Sequence, residues 1–242
     1  MEKQRGDDVY AVVKAGPFRS VERGSRSKTP EQMLTIFAKM DGPGRKVREA
    51  LSILDLDACV YPSTRSWTGM GFDHRQQTLV MRDPNAGKEL FDADDIVEYL
   101  FNTYGSGVDA VPWVMKRENA IGAALMKVAV WLRSGHGTEF NGNNPSDSRD
   151  ATDASMVDPT TFEFWAYEAS PFCGVAAEAI YAAGLPHVLK TVARGSSKRG
   201  VLFEAEGHFQ APFILVRDEA GGMEGMFEST AIIEYVDSRY RR

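Results

Sequence analysis

Apolar residues near the end of the chain fall into short runs that are separated by turn residues. The run from Phe162 to Ala166 predicts a strand, and the turn after it ends in Ser170-Pro171-Phe172-Cys173. Proline is favoured at the first position of a helix, because its missing N–H would have no partner there. We therefore expect a helix to begin directly after Ser170.

Two more elements follow in the same stretch. Pro212 precedes the apolar run Phe213-Ile214-Leu215-Val216, and proline within a sheet is confined to positions such as the first residue of a strand. Glu228, Ser229 and Thr230 precede a helical apolar pattern at Ile232, Ile233 and Val236, which indicates a helix N-terminus. Residues 161–240 are thus predicted to fold as strand, helix, strand, helix, two antiparallel strands and a helix.

The N-terminus of the helix that begins after Ser170 is a candidate binding site for an anion. The free N–H groups and the dipole at a helix N-terminus favour an anion such as a thiolate. A plainer interpretation is that Ser170 and Ser229 only cap their helices, as serines commonly do. The sequence pattern alone leaves both interpretations open.

An internal repeat is visible in the sequence. The segment 91–99 aligns with 227–235, and 44–60 aligns with 173–189, sharing Glu-Ala at 49–50 and 178–179. Two copies indicate two similar domains, the first over about residues 32–105. The stretch 63–82 is shorter than its counterpart, so the middle helix of the first copy is expected to be reduced.

The ordered set Ser-Pro-Phe-Cys, Gln-Ala-Pro-Phe and Phe-Glu-Ser-Thr resembles the N-terminal, thioredoxin-fold domain of glutathione transferases. The resemblance implies that Ser170 faces a thiol, with Cys173 in the position of a second motif cysteine. It implies a cis bond between Ala211 and Pro212, with the Ala211 backbone pairing with glutathione. It also implies that Glu228 and Ser229 hold the γ-glutamyl end of that cofactor.

The two copies in a row resemble tandem proteins of plants, algae and cyanobacteria, on segments such as 45–51, 94–100 and 193–199. The implied fold class is α/β: two thioredoxin-like domains with mixed four-stranded sheets and flanking helices, joined by a helical linker. We expect an extended arm over 1–30, a degenerate domain over 31–110, a linker over 111–160 and the transferase-like domain over 161–242. The resemblance also implies the plastid stroma or its membrane surface; otherwise the location is cytoplasmic.

The first copy has lost the site residues. Asp41-Gly42-Pro43-Gly44 replaces Ser-Pro-Phe-Cys, Asp92-Ala93 replaces Glu-Ser, and no proline lies between Pro62 and Pro84. This copy is not expected to bind glutathione. It is expected to be a scaffold or a docking surface.

Composition and charge limit the classes of ligand and site that the protein is expected to have. The net charge of −6 argues against nucleic acid, whose phosphates require a basic face. Cys59 and Cys173 fall in different copies, so a disulfide is not expected, and the four histidines show no metal-ligand spacing. No apolar run is long enough to cross a membrane.

The region between the copies begins with a helical pattern from Val114 to Leu132, whose apolar face carries Ile121, Leu125, Val128 and Leu132. It predicts a connecting helix packed between the domains, or alternatively a helix that binds a partner or a membrane surface. A stretch rich in Gly, Asn, Ser and Asp follows and is typical of a flexible linker.

Two functions are consistent with these patterns. The first is a glutathione- or thiol-binding protein with its site in the second copy, acting as a transferase through Ser170 or by a monothiol route through Cys173 if that sulfur is exposed. The alternative is a non-catalytic structural or assembly subunit of a larger complex at a photosynthetic membrane. The N-terminal arm and the linker helix would then be its contact surfaces. The degenerate first copy favours this alternative, and so does the expectation that the helical second domain of transferases is absent.

Overall fold

The computed structural model describes residues 28–116, 158–217 and 221–240, together with the backbone of residues 14–15 and 18–19. In the predicted N-terminal arm, strand β1 (Lys14–Ala15) pairs antiparallel with β2 (Phe18–Arg19). The rest of the arm before residue 28 lies outside the described residues.

The first half of the fold contains the elements predicted for the first copy. They are β3 (Leu34–Ala38), α1 (Gly42–Leu54), β4 (Ala58–Pro62), β5 (Val80–Asp83), β6 (Lys88–Leu90) and α2 (Ala93–Tyr104). Between β4 and β5 stands only a 3-10 turn, Thr68–Met70. The prediction that the middle helix is reduced is therefore confirmed.

The second half has the predicted order of strands and helices. It consists of β7 (Phe162–Ala166), α3 (Pro171–Ala182), β8 (His187–Thr191), α4 (Lys198–Glu206), β9 (Phe213–Arg217), β10 (Met223–Phe227) and α5 (Ser229–Tyr240). The bond between Ala211 and Pro212 is cis. Both predictions made for residues 161–240 are confirmed.

The strands of the two halves form one mixed sheet of eight strands, in the order β10-β9-β7-β8-β4-β3-β5-β6. Two separate four-stranded sheets were expected. They are continuous because β4 pairs antiparallel with β8, with Cys59 opposite Val188. Pairing satisfies backbone groups that an exposed sheet edge leaves open.

A covering loop replaces the missing helix in the first half. Trp67 is fully buried, its indole N–H donates to the Pro62 carbonyl at 3.0 Å, and Phe72 stacks on Phe37 with ring centroids 4.5 Å apart. These side chains form a small apolar cluster with Tyr61 and Val80, separate from the main core. The loop thus protects one face of the sheet without a regular helix.

The predicted linker helix does not begin at Val114. Trp113–Met115 is a short 3-10 turn, and Lys116 after it is extended. Val114 and Met115 are buried in the main core, and this packing fixes a different backbone there. The rest of the predicted helix, like the glycine-rich stretch behind it, lies outside the described residues.

Ion pairs connect the two halves close to the paired strands β4 and β8. The Lys198 ammonium lies 2.6 Å from Asp57 and 3.1 Å from Asp55, while Lys190 lies 3.2 Å from Asp57. The Thr191 hydroxyl donates to the Leu56 carbonyl at 3.1 Å. The second half therefore holds the segment between α1 and β4 through side chains as well as through the sheet.

Glu49 on α1 is buried near Glu168 of the second half. Burial and the neighbouring Glu168 carboxylate raise the pKa of Glu49 from 4.5 to about 7, although Arg45 opposes the rise. Because the pKa is higher in the folded than in the unfolded state, folding favours the protonated carboxyl. Its contribution to stability is present below about pH 4.5 and is lost as the pH rises through about 7.

We predict that Glu49→Gln raises the free energy of unfolding at pH 8, by on the order of 2 kcal/mol, and leaves it nearly unchanged at pH 4.5. The amide mimics the protonated carboxyl and cannot ionise. Urea unfolding at both pH values measures the effect, with the exposed Glu224→Gln as the control variant. An equal effect of Glu49→Gln at the two pH values would contradict the prediction.

Candidate functional site

The turn between β7 and α3 has the geometry that the sequence predicted for Ser170. Ser170 is the N-cap of α3, its hydroxyl oxygen accepts the Cys173 backbone N–H at 3.3 Å, and Pro171 is the first helical residue. The Ser170 N–H donates to the Tyr167 carbonyl at 3.2 Å, which closes the turn. Ser170 is buried, so its hydroxyl is held in a fixed place beside the helix dipole.

Strand register brings the three segments that carry the predicted site residues to the same end of adjacent strands. Trp165 on β7 lies opposite Phe213 on β9, which in turn lies opposite Phe227 on β10. The residues just beyond this row are the Tyr167–Ser170 turn, the cis Pro212 and Glu228. The predicted site residues are therefore neighbours in space although they are up to 59 positions apart in the chain.

Glu228 stands at the junction of β10 and α5 in an unusual backbone conformation. Its φ of 70° lies in the left-handed region, which is uncommon for a residue other than glycine. Its carboxylate accepts the Gln210 side-chain amide at 2.6 Å, and its carbonyl accepts the Ile232 N–H at 3.0 Å. Glu228 is exposed and Ser229 half-buried, so both can be reached from solvent.

Cys173 is placed differently from Glu228 and Ser229. Its side chain is only 3% exposed, and it lines a small pocket between the halves together with Arg48, Glu168, Tyr181 and His187. Burial raises the pKa of the Cys173 thiol, more than hydrogen bonding with Ser170 and Tyr167 lowers it. The exposed sulfur that a monothiol route requires is therefore not present.

Arg199 is a site neighbour that sequence reasoning missed. Its guanidinium lies 4.4 Å from the centroid of the Phe209 ring and 5.5 Å from that of Tyr167, and it donates to the Val192 carbonyl at 2.9 Å. It thus bridges the turn before Ser170 and the segment before Pro212. Burial lowers the pKa of Arg199, while Tyr167 opposes that change. Among the described residues no carboxylate lies within ion-pair distance of it.

A buried ion pair lies behind the same turn. Arg48 on α1 donates through Nε to the Glu168 carboxylate at 2.9 Å, and the two side chains are 5% and 6% exposed. Burial alone would lower the pKa of Arg48, but Glu168 and Tyr181 together raise it above its usual value. The sequence offered no signal for this contact, since the partners are 120 residues apart.

The corresponding positions of the first half carry helix caps. The Asp41 carboxylate accepts the Gly44 N–H at 2.8 Å, and Asp92 accepts the N–H groups of Asp94 and Asp95. A Cβ at Gly44 would lie 2.2 Å from the Lys39 carbonyl, so this position excludes any side chain. Within residues 28–116 no peptide bond is cis. Asp92 is therefore the N-cap of α2.

Comparison with known proteins agrees with the geometry of the second half. Residues 164–242 match the family model for the N-terminal domain of glutathione S-transferase, which covers about a third of the chain. The second half is therefore similar to the N-terminal, thioredoxin-like domain of glutathione transferases. Neither the curated proteins nor the solved structures gave a match. In the part of the chain that the structure describes, no helix is long and apolar enough to span a membrane, and no group of His, Cys, Asp or Glu is arranged to hold a metal.

We predict that iodoacetamide modifies Cys59 faster than Cys173 in the native protein. Cys59 is partly exposed and Cys173 is buried, and alkylation requires an accessible thiolate. Mass spectrometry of peptides after timed quenching measures both rates. The two cysteines should react at similar rates in denaturant, and faster native modification of Cys173 would contradict this placement of its sulfur.

Proposed function

We propose that the second half binds glutathione or a closely related thiol. The observation that carries this proposal is the single row of Trp165, Phe213 and Phe227, which sets the Ser170 turn, the cis proline and Glu228 side by side. The match to the transferase N-terminal domain supports the same ligand. The chemistry fits as well, because the site combines a helix N-terminus, free backbone groups and a carboxylate.

Each residue of the site contacts a different part of the ligand in this proposal. Ser170, which is 4% exposed in the free protein, donates a hydrogen bond from its hydroxyl to the ligand's thiolate once the ligand is bound. The N-terminus of α3 also favours the charge of that thiolate. The Ala211 backbone next to the cis proline pairs with the peptide part of the ligand. Glu228 binds the γ-glutamyl ammonium, and Ser229 binds the carboxylate beside it. Exchanging its bond to Gln210 for one to the ligand lets Glu228 keep a charge-assisted partner.

Arg199 adds a cation to this set. Glutathione carries two carboxylates and one ammonium, so its net charge at neutral pH is negative. A half-buried guanidinium held between two aromatic rings attracts such a ligand more strongly than a fully solvated one would.

We further propose that the chain consists of two tandem thioredoxin-like domains, 31–110 and 161–242, with an arm over 1–30 and a linker over 111–160. Symmetric pairing at their junction supports this. Ala58 lies opposite Leu189, and Val60 lies opposite His187. By the sequence alignment, Ala58 corresponds to His187 and Val60 to Leu189, so the register is what a two-fold relation between the copies requires. The first domain serves as a scaffold.

A second candidate function is that of a non-catalytic subunit in a larger assembly, located at a plastid membrane surface. One observation favours it: Phe172 at the start of α3 is 65% exposed, and Val175 one turn later is also exposed. Apolar side chains in such a place are typical of protein contacts. This candidate takes precedence if the glutathione experiment below gives no binding.

We predict that glutathione stabilises the folded protein, by about 2.7 kcal/mol at a concentration one hundred times its dissociation constant. Glu228→Ala and Ser229→Ala should each reduce this stabilisation, because each removes a partner of the γ-glutamyl end. Thermal unfolding at a series of glutathione concentrations measures it.

Asp92→Ala is the matched control variant, because Asp92 occupies the position of Glu228 in the first half and caps α2. It should lower the unfolding temperature while leaving the stabilisation by glutathione intact. If millimolar glutathione leaves the unfolding temperature of the wild-type protein unchanged, the proposed function is refuted.

Ser170→Ala separates binding from thiol chemistry. Loss of the cap is expected to cost about 1 kcal/mol of stability. Calorimetric titration well below the unfolding temperature should give nearly unchanged glutathione affinity, whereas the rate of conjugation to a test electrophile should fall. Loss of affinity with an unchanged rate would contradict the role given to Ser170.

A further inference from the structure

The first half reaches the Ser170 turn directly. Glu168 lies two residues before Ser170, and its carboxylate accepts Nε of Arg48 at 2.9 Å. The backbone N–H of Glu168 also donates to the Ser52 hydroxyl on the same helix, α1, at 3.4 Å. Side chain and backbone of the turn are therefore both attached to the first half.

The same guanidinium joins two further elements. Nη1 of Arg48 donates to the Lys39 carbonyl at 2.9 Å, in the turn that precedes α1. It lies 3.5 Å from the Tyr181 hydroxyl on α3, and the guanidinium carbon stands 5.3 Å from the centroid of that ring. Arg48 thus links the turn before α1 to the turn before α3 and to the body of α3.

This arrangement is poorly suited to stability alone. Taking two charges out of water costs free energy, and their attraction often fails to exceed that cost. Among the described residues, Nη2 of Arg48 has no hydrogen-bond partner although it is buried, which adds to the cost. What the pair does provide is a defined geometry, because the planar guanidinium fixes the direction of its bonds.

We propose that Arg48 is a positioning residue for the ligand site of the second half, an inference that rests on the proposed function. It holds Glu168 in the interior, and this sets the turn that presents the Ser170 hydroxyl and the first N–H groups of α3. Without Arg48, Glu168 would keep the longer ion pair with Arg45, whose Nε lies 3.6 Å from the carboxylate, but would lose its closest cation. The carboxylate would then be drawn toward water and would move the turn with it. The degenerate first half is then a working part of the site.

The test compares Arg48→Met with Lys198→Met in the full chain. Lys198 also forms ion pairs between the halves, but with Asp55 and Asp57 and not with the Ser170 turn. Two quantities are measured where all variants are folded: the glutathione dissociation constant by calorimetry, and the hydrogen exchange of the Cys173 and Gly174 amides. The second quantity needs no ligand.

Arg48→Met should weaken glutathione binding about tenfold or more, since small misplacements of a site group have large effects, and should speed exchange at both amides. Lys198→Met should lower the unfolding temperature without changing either quantity. Combining Arg48→Met with Glu168→Gln should weaken binding by less than the sum of the two single effects, because both disrupt the contact between Arg48 and Glu168, while Glu168→Gln also weakens the ion pair with Arg45.

The outcomes are distinct. If the wild-type protein binds no glutathione, the proposed function fails, and accelerated exchange in Arg48→Met would still support positioning of the turn. If Arg48→Met affects affinity and exchange no more than Lys198→Met does, the positioning role is overturned. Should Arg48→Met fail to fold, Arg48→Lys replaces it, with intermediate effects expected because an ammonium cannot reproduce the planar fork.

Discussion

The antiparallel pairing of β4 with β8 is the constraint on which the rest of this structure depends. Each half on its own would expose the edge of that strand, with unpaired N–H and C=O groups. Joining the two edges makes one sheet of eight strands and brings α1 close to the turn before α3. The ion pairs of Lys198 and the buried contact between Arg48 and Glu168 can form only because this junction fixes their distance.

The candidate site follows from the second half of the sheet. Three neighbouring strands, β7, β9 and β10, have ends side by side, so three short segments that are distant in sequence meet there. One of these segments begins a helix, and a helix N-terminus supplies free N–H groups that suit an anion. Arg199 contacts two of the segments through the rings of Tyr167 and Phe209, while Arg48 contacts the Ser170 turn through Glu168.

Much of the fold and of the candidate site could be predicted from the sequence, because the relevant signals are local. The cap at Ser170, the proline before Phe213 and the helix start at Ser229 are each encoded within a few residues. The repeat likewise predicted the elements of the first half, including its reduced middle helix.

Other features depend on long-range packing and have no local signal. The β4–β8 junction pairs strands about 130 positions apart, and an apolar strand such as 58–62 does not reveal its neighbour in a sheet. The burial of the Cys173 sulfur depends on side chains of both halves that line the same pocket. At residues 113–116, tertiary packing of Val114 and Met115 prevailed over the helical pattern.

The central claim is that the first half supports a thiol site which only the second half contains. It is tested most directly by recording amide NMR spectra of isotope-labelled protein during titration with glutathione. The account predicts shifts concentrated at Ser170, Cys173, Phe213 and Ser229, with none at the equivalent positions Gly44 and Ala93. Shifts of similar size in both halves, or none in either, would contradict it.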